Sequence, residues 1–208
     1  MPYINTRLCP HNLKGQRLND IMITTTNTAV KQLTIIALTA LSYFLFYLAN
    51  DFMFTFTTFA TGVHWIYLPS GAVLLSVLLF SESAAIGVAL AAAVISHDYY
   101  FPQDFVTVLG VGFVSGFSAW AARQFCVTKL GLDVNLRGLT AKSLLKIALV
   151  FSLLSALMDQ LWFACRGQTE NVINGTAVMA FGNFTGTIIV LYLAKASIEF
   201  VSMFRENT

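Results

Sequence analysis

This sequence predicts an all-α polytopic membrane fold, with about six transmembrane helices and both termini in the cytoplasm. Three observations predict it. Of the 208 residues, 57% are hydrophobic and 11% charged, against roughly 25% charged in soluble domains; mean hydropathy is +0.72. The apolar residues fall into continuous runs, not the period-two alternation of a β-barrel. Lipid cannot satisfy a loose backbone, which leaves helices. Finally, eleven of the twelve Lys and Arg residues lie on one side of a six-span reading, and only Arg166 lies on the other. Loops rich in Lys and Arg stay in the cytoplasm.

Residues 1–32 are polar and carry a Thr-rich stretch from Thr24 to Thr28. They read as a disordered cytoplasmic tail, with Met22 an alternative start. The first span is expected to be no cleavable signal peptide, because the lead before it is long and no small-x-small site follows it. The spans then run over 33–49, 65–80, 84–96, 105–122, 144–165 and 176–196, within a six-helix domain covering 33–198. A short cytoplasmic tail, 199–208, closes the chain. A span needs about 20 apolar residues. The second and third are shorter, so tilt or a broken helix is expected there, around the tight turn Ser81-Glu82-Ser83. The orientation rests on Arg7, Lys14, Arg17 and Lys31 before the first span. Arg123, Lys129, Arg137, Lys142 and Lys146 lie around the longest connector, and Lys195 and Arg205 near the end. That connector, 123–143, reads either as a topology signal or as a surface helix on an anionic leaflet.

Between the first two spans, residues 52–59 alternate Phe or Met with Thr, and Trp65 and Tyr67 follow. The segment reads as an interfacial aromatic belt or as a lid over an outward-facing pocket. Pro69 biases Leu68 away from helical angles and, with Gly71, marks a bend or helix start. Amides freed there could meet an anionic ligand group.

Small residues mark the helix contacts. Gly112 and Gly116 form a small-x-x-x-small pair, as do Ser115 and Ala119, and Gly182 with Gly186 repeats the device in the last span. Such pairs let backbones approach closely in lipid. They serve helix packing, a homo-oligomer face or a substrate-lining helix.

Polar groups inside spans are costly and therefore informative. Asp159 and Asn183 fall at matched depth on successive spans, about 10 Å below the outer surface at 1.5 Å per residue. They act either as hydrogen-bonding glue or as the floor of a polar pocket. His64 and His97 close the outer ends of the second and third spans, near Asp51, Asp98 and Asp104. Imidazoles beside carboxylates can sense pH or bind metal, but no known metal-ligand spacing is present. Cys9, Cys126 and Cys165 form no C-x-x-C pair and read as inert. No G-x-S-x-G, H-E-x-x-H or phosphate loop points to an enzyme. No cofactor motif is present, and the dispersed basic residues exclude a nucleic-acid partner.

The stretch Tyr67-Leu68-Pro69-Ser70-Gly71, continuing into a Leu/Ala-rich span, resembles the MASE1 type of bacterial membrane sensor domain. That family carries an aromatic-x-Pro-small-Gly signature there. Phe181-Gly182-Asn183-Phe184-Thr185-Gly186 resembles the family's Gly-Asp-x-x-Gly segment. Tyr67 stands where the family usually has Trp, Asn183 where it has Asp, and six spans where it has about eight. The resemblance implies a stand-alone, shortened sensory domain without a cytoplasmic output domain of its own.

The sequence thus leads to a multi-pass protein of a bacterial inner (plasma) membrane. It is expected to bind a small ligand, or sense a condition, in an outward-facing pocket lined by His64, Tyr67, His97, Asp159 and Asn183. It would act through a cytoplasmic signalling partner. The alternatives are the substrate-binding subunit of a small-molecule uptake transporter, with an energising partner, and a structural subunit of a membrane complex.

Overall fold

The computed structural model describes the backbone of residues 10–129, 131 and 140–206, and the side chains of 28–129, 131 and 140–197. Cys9, Arg7, Arg137 and the side chains of the 199–208 tail lie outside the described residues. The chain divides into two compact units, 1–34 and 35–208. Helix α1 spans Pro10–Phe54, so positions 10–32 have helical backbone where the sequence alone suggests a disordered tail. A 3₁₀ turn (Thr55–Thr57) leads into a small antiparallel pair, β1 (Thr58–Ala60) and β2 (Val63–His64). Helix α2 (Pro69–Ile95) ends in a π-helical turn (Ser96–Tyr100), and α3 (Phe105–Lys129), α4 (Ala141–Cys165) and α5 (Val172–Glu206) follow.

Among the described residues, five helical stretches are long and apolar enough to cross a membrane: Thr28–Thr57, Pro69–Tyr100, Phe105–Lys129, Ala141–Cys165 and Val172–Ser197. The protein is an all-α, multi-pass membrane protein in this sense. The count differs from six because α2 joins two apolar runs through one non-helical residue, Ser81, at φ 50° and ψ −118°. The chain folds back there. A straight helix over 69–100 would separate its ends by about 45 Å, yet Tyr100 Oη lies 3.4 Å from His64 Nε2. So α2 comprises two antiparallel halves, 69–80 and 82–95, whose open end meets the β1–β2 turn.

Glycines let this hairpin sink into its neighbours. A Cβ on Gly112 would stand 2.7 Å from the Ala89 carbonyl oxygen, and one on Gly116 2.5 Å from that of Ala85. The second half therefore packs backbone to backbone on α3, as small residues permit in lipid. The first half crosses α5, where a Cβ on Gly71 would meet Val190 Cβ at 2.5 Å. Leu74, Val77, Val88, Ala119 and Ile147 are completely buried between these helices. Outward-facing side chains are apolar as well: Leu109, Phe113, Leu161 and Tyr192 are all exposed. Such a belt suits a hydrocarbon solvent and not water.

The two ends of the bundle differ. At one, Trp120 Nε1 donates to Glu82 of the hairpin tip (3.4 Å), and Lys129, Lys142 and Lys146 cluster in sequence around the α3–α4 connection. At the other lie the β1–β2 turn, the π-helical turn and Arg166. Arg166 Nη2 donates to both carboxylate oxygens of Asp104 at 2.9 and 3.0 Å. Asp104 also accepts from the Thr107 amide at 3.0 Å and so caps α3. The Thr107 hydroxyl and amide, then Arg166, hold the Asp104 carboxyl down at about 2.

Candidate functional site

Just inside the β1–β2 end, the helices leave a cavity of about 60 Å³. Its walls include Tyr43 of α1, Tyr67, Ser96, Asp159 and Asn183, with Phe163 on the side toward the β1–β2 turn. Each arrives by a local rule. Ser155 and Asp159 are four residues apart in α4 and share a face; the Ser155 hydroxyl donates to Asp159 Oδ2 at 3.3 Å. Asn183 Nδ2 of α5 reaches the same Ser155 oxygen at 3.5 Å. Ser155 thus bridges Asp159 and Asn183. Asp159 and Asn183 are 5% and 3% exposed, so neither meets bulk water. Asp159 Oδ1 has no hydrogen-bond partner, and neither has Ser96 Oγ on the same cavity.

Tyr67 enters from the segment between β2 and α2, and its hydroxyl shares a 2.8 Å hydrogen bond with that of Tyr43. Burial pushes the Tyr67 phenol well above its ordinary range, so it stays protonated. The His64 ring stacks on Tyr67 with centroids 5.7 Å apart and planes 14° from parallel. His64 Nδ1 pairs with the Thr58 hydroxyl at 3.1 Å. Burial lowers the His64 pKa, which Asp51 partly opposes. His64 stands beside the cavity, behind Tyr67, and not in its wall.

His97 is not brought in. It pairs with Asp98 at 2.7 Å and lies against Phe105, with ring centroids 5.4 Å apart. The π-helical turn presents Tyr100 toward His64 instead. Among the described residues, no three His, Cys, Asp or Glu side chains converge on one point.

The Pro-Ser-Gly segment proves to be a fastening. Leu68 keeps helical angles, φ −57° and ψ −36°, against the expectation that Pro69 would push it out of them. Its amide donates to Asn50 Oδ1 at 2.8 Å, while those of Ser70 and Gly71 donate to carbonyls of Tyr67 and Leu68. With those amides occupied, no anion site remains at this helix start. Ser70 Oγ lies 2.7 Å from the Asn183 carbonyl and 3.2 Å from the Thr187 hydroxyl, tying α2 to α5. Gly182 and Gly186 seat the same segment. The Tyr67 amide donates to the Gly182 carbonyl at 3.2 Å, and a Cβ at Gly182 or Gly186 would collide with the carbonyl of His64 or Tyr67. These glycines thus admit an irregular strand of chain, not another helix.

Tyr43, Ser155 and Ser96 are the residues that sequence reasoning misses. Two had a signal: Ser155 stands one turn before Asp159, and Tyr43 and Tyr47 are polar-tipped aromatics one turn apart.

A second, wider cavity of about 360 Å³ lies among the β1–β2 turn and the α4–α5 connection, with Thr61, Gln160, Glu170 and Asn171 in its wall. Phe163 borders both cavities. The chain matches no family model, no curated protein and no solved structure.

Proposed function

We propose that this chain is a multi-pass protein of a bacterial inner membrane. It binds a small ligand in the Tyr67–Asp159–Asn183 cavity and passes its state to a partner protein. One observation carries the reading: a carboxylate oxygen buried inside a span, beside open space, without a partner. A bare polar group in an apolar interior costs several kcal/mol. Such groups within membranes mark sites of binding or relay more often than packing. The resemblance of the Tyr67–Gly71 and Gly182–Gly186 segments to membrane sensor domains supports the sensory half of the proposal. Both halves of α2 would cross the bilayer, giving six crossings with cytoplasmic termini. The Asp159 end then faces outward, in keeping with the basic residues at the other end.

The wider cavity above Phe163 favours a second reading, the substrate-binding subunit of an uptake system. Two cavities that share Phe163 would form an entry route, and transport would require the inner one to open again toward the cytoplasm.

Native mass spectrometry of the detergent-extracted full chain tests the first reading. It is expected to report a retained small molecule. Asp159→Ala and Asn183→Ala should each weaken retention about tenfold, which is about 1.4 kcal/mol, with smaller losses of stability. Unchanged retention in both variants refutes the assignment.

A further inference from the structure

From the chemistry of the cavity wall, and resting on the reading that this cavity binds a ligand, we infer that the ligand is a compact monocation of the ammonium type. Three features of the wall select it. The first is charge: Asp159 is the one acidic residue of the wall, and no Lys, Arg or His lines it. Arg166 pairs with Asp104 and His97 with Asp98, both elsewhere. An ionised Asp159 therefore needs a positive charge from outside the chain, because an isolated buried carboxylate is very costly.

The second is the shape of the polar groups. Asp159 Oδ1 and Ser96 Oγ border the same space and lack partners. A primary ammonium offers several N–H donors for acceptors of this kind, whereas an anion would face the carboxylate directly. The third is the aromatic surround. Tyr43, Tyr67, Tyr100, Phe151 and Phe163 line the cavity, and ring faces attract a desolvated cation. The Tyr43 and Tyr67 hydroxyls are occupied with each other, so these residues offer mainly their rings.

Size sets the limit. A water needs roughly 10–15 Å³ on this measure, so 60 Å³ holds about four waters. That admits ammonium or methylammonium and excludes a vitamin-sized molecule. Simple protonation of Asp159 would quench the charge, but a proton needs no space, and space is present. Entry runs from the wider cavity, where Glu170 adds negative charge, past the Phe163 ring.

Thermal unfolding of the detergent-solubilised full chain at constant ionic strength tests this. Methylammonium chloride should raise Tm saturably, and N-methyl-D-glucamine chloride, too bulky for the cavity, should not. Asp159→Asn keeps the side-chain shape without the charge and should lower the apparent affinity for methylammonium at least tenfold. Should Asp159→Asn fail to fold, Ser96→Ala and His97→Gln decide: Ser96→Ala should weaken affinity several-fold, and His97→Gln, which lies outside the cavity against Phe105, should leave it within about twofold. Equal effects of the two cations, or full affinity in Asp159→Asn, overturn the inference. Saturation by methanol or acetate at the same site overturns the cation class while leaving a ligand-binding cavity standing. Silence from every probe, together with no retained molecule by native mass spectrometry, removes both.

Discussion

His64 is the residue whose environment makes the sharpest prediction. It is 7% exposed and stacked on Tyr67, and burial depresses its pKa below the ordinary 6.5. A group held neutral by the fold contributes stability that is complete above its unfolded pKa and lost as pH falls through its folded one. The Tm of the parent relative to His64→Gln should therefore hold level above about pH 6.5 and decline below it. A difference that stays constant between pH 7.5 and 5.5 would contradict this. At this scale the sequence is partly legible. Asp159 and Asn183 can be paired by counting residues from the ends of their spans, because a helix rises evenly. His97 cannot be placed that way. The π-helical turn over Ser96–Tyr100 breaks the α-helical phase, so Tyr100 takes the place the α-helical pattern gives to its neighbour.

Among the elements, the hairpin α2 and its seats on α3 and α5 decide the architecture. Its tip holds a serine at φ 50°, a region where residues with a Cβ are strained and glycine is not. Relieving such strain is worth about 1–3 kcal/mol, less about 0.5–1 kcal/mol for the added freedom of glycine when unfolded. Ser81→Gly is accordingly expected to raise Tm, as measured in detergent, without altering ligand retention. Gly186→Ala should do the opposite. Its methyl would strike the Tyr67 carbonyl, a backbone atom that cannot swing aside. We expect a loss of at least about 2 kcal/mol and displacement of Tyr67 from the cavity, read as lost retention by native mass spectrometry. A variant as stable as the parent would show that the segment does not lie on α5. The turn at Ser81-Glu82-Ser83 is legible as an interruption between two apolar runs. The partner of Gly182 and Gly186 is not. A pair of glycines four apart announces that something approaches closely, and says nothing about whether it is a helix.

Across the whole molecule, the two ends of the bundle carry different chemistry, and orientation follows from it. With basic residues cytoplasmic, the proposed orientation puts the exposed Cys165 outside with Arg166, and Glu82 inside. A membrane-impermeant maleimide should label Cys165 in intact cells. In a Cys9→Ser, Cys165→Ser background, Glu82→Cys should label only after permeabilisation. The reverse pattern would invert the protein and close the proposed route to Asp159 from outside. Parity also depends on Ser81. The chain enters the α2 hairpin near His64 and leaves it near Tyr100, at one and the same end. The hairpin is thus neutral with respect to sidedness. A chain lengthened at the Ser81-Glu82-Ser83 tip would therefore leave α3, α4 and α5 pointing as they do now, whereas the packed halves on either side of that tip are held by their seats on α3 and α5.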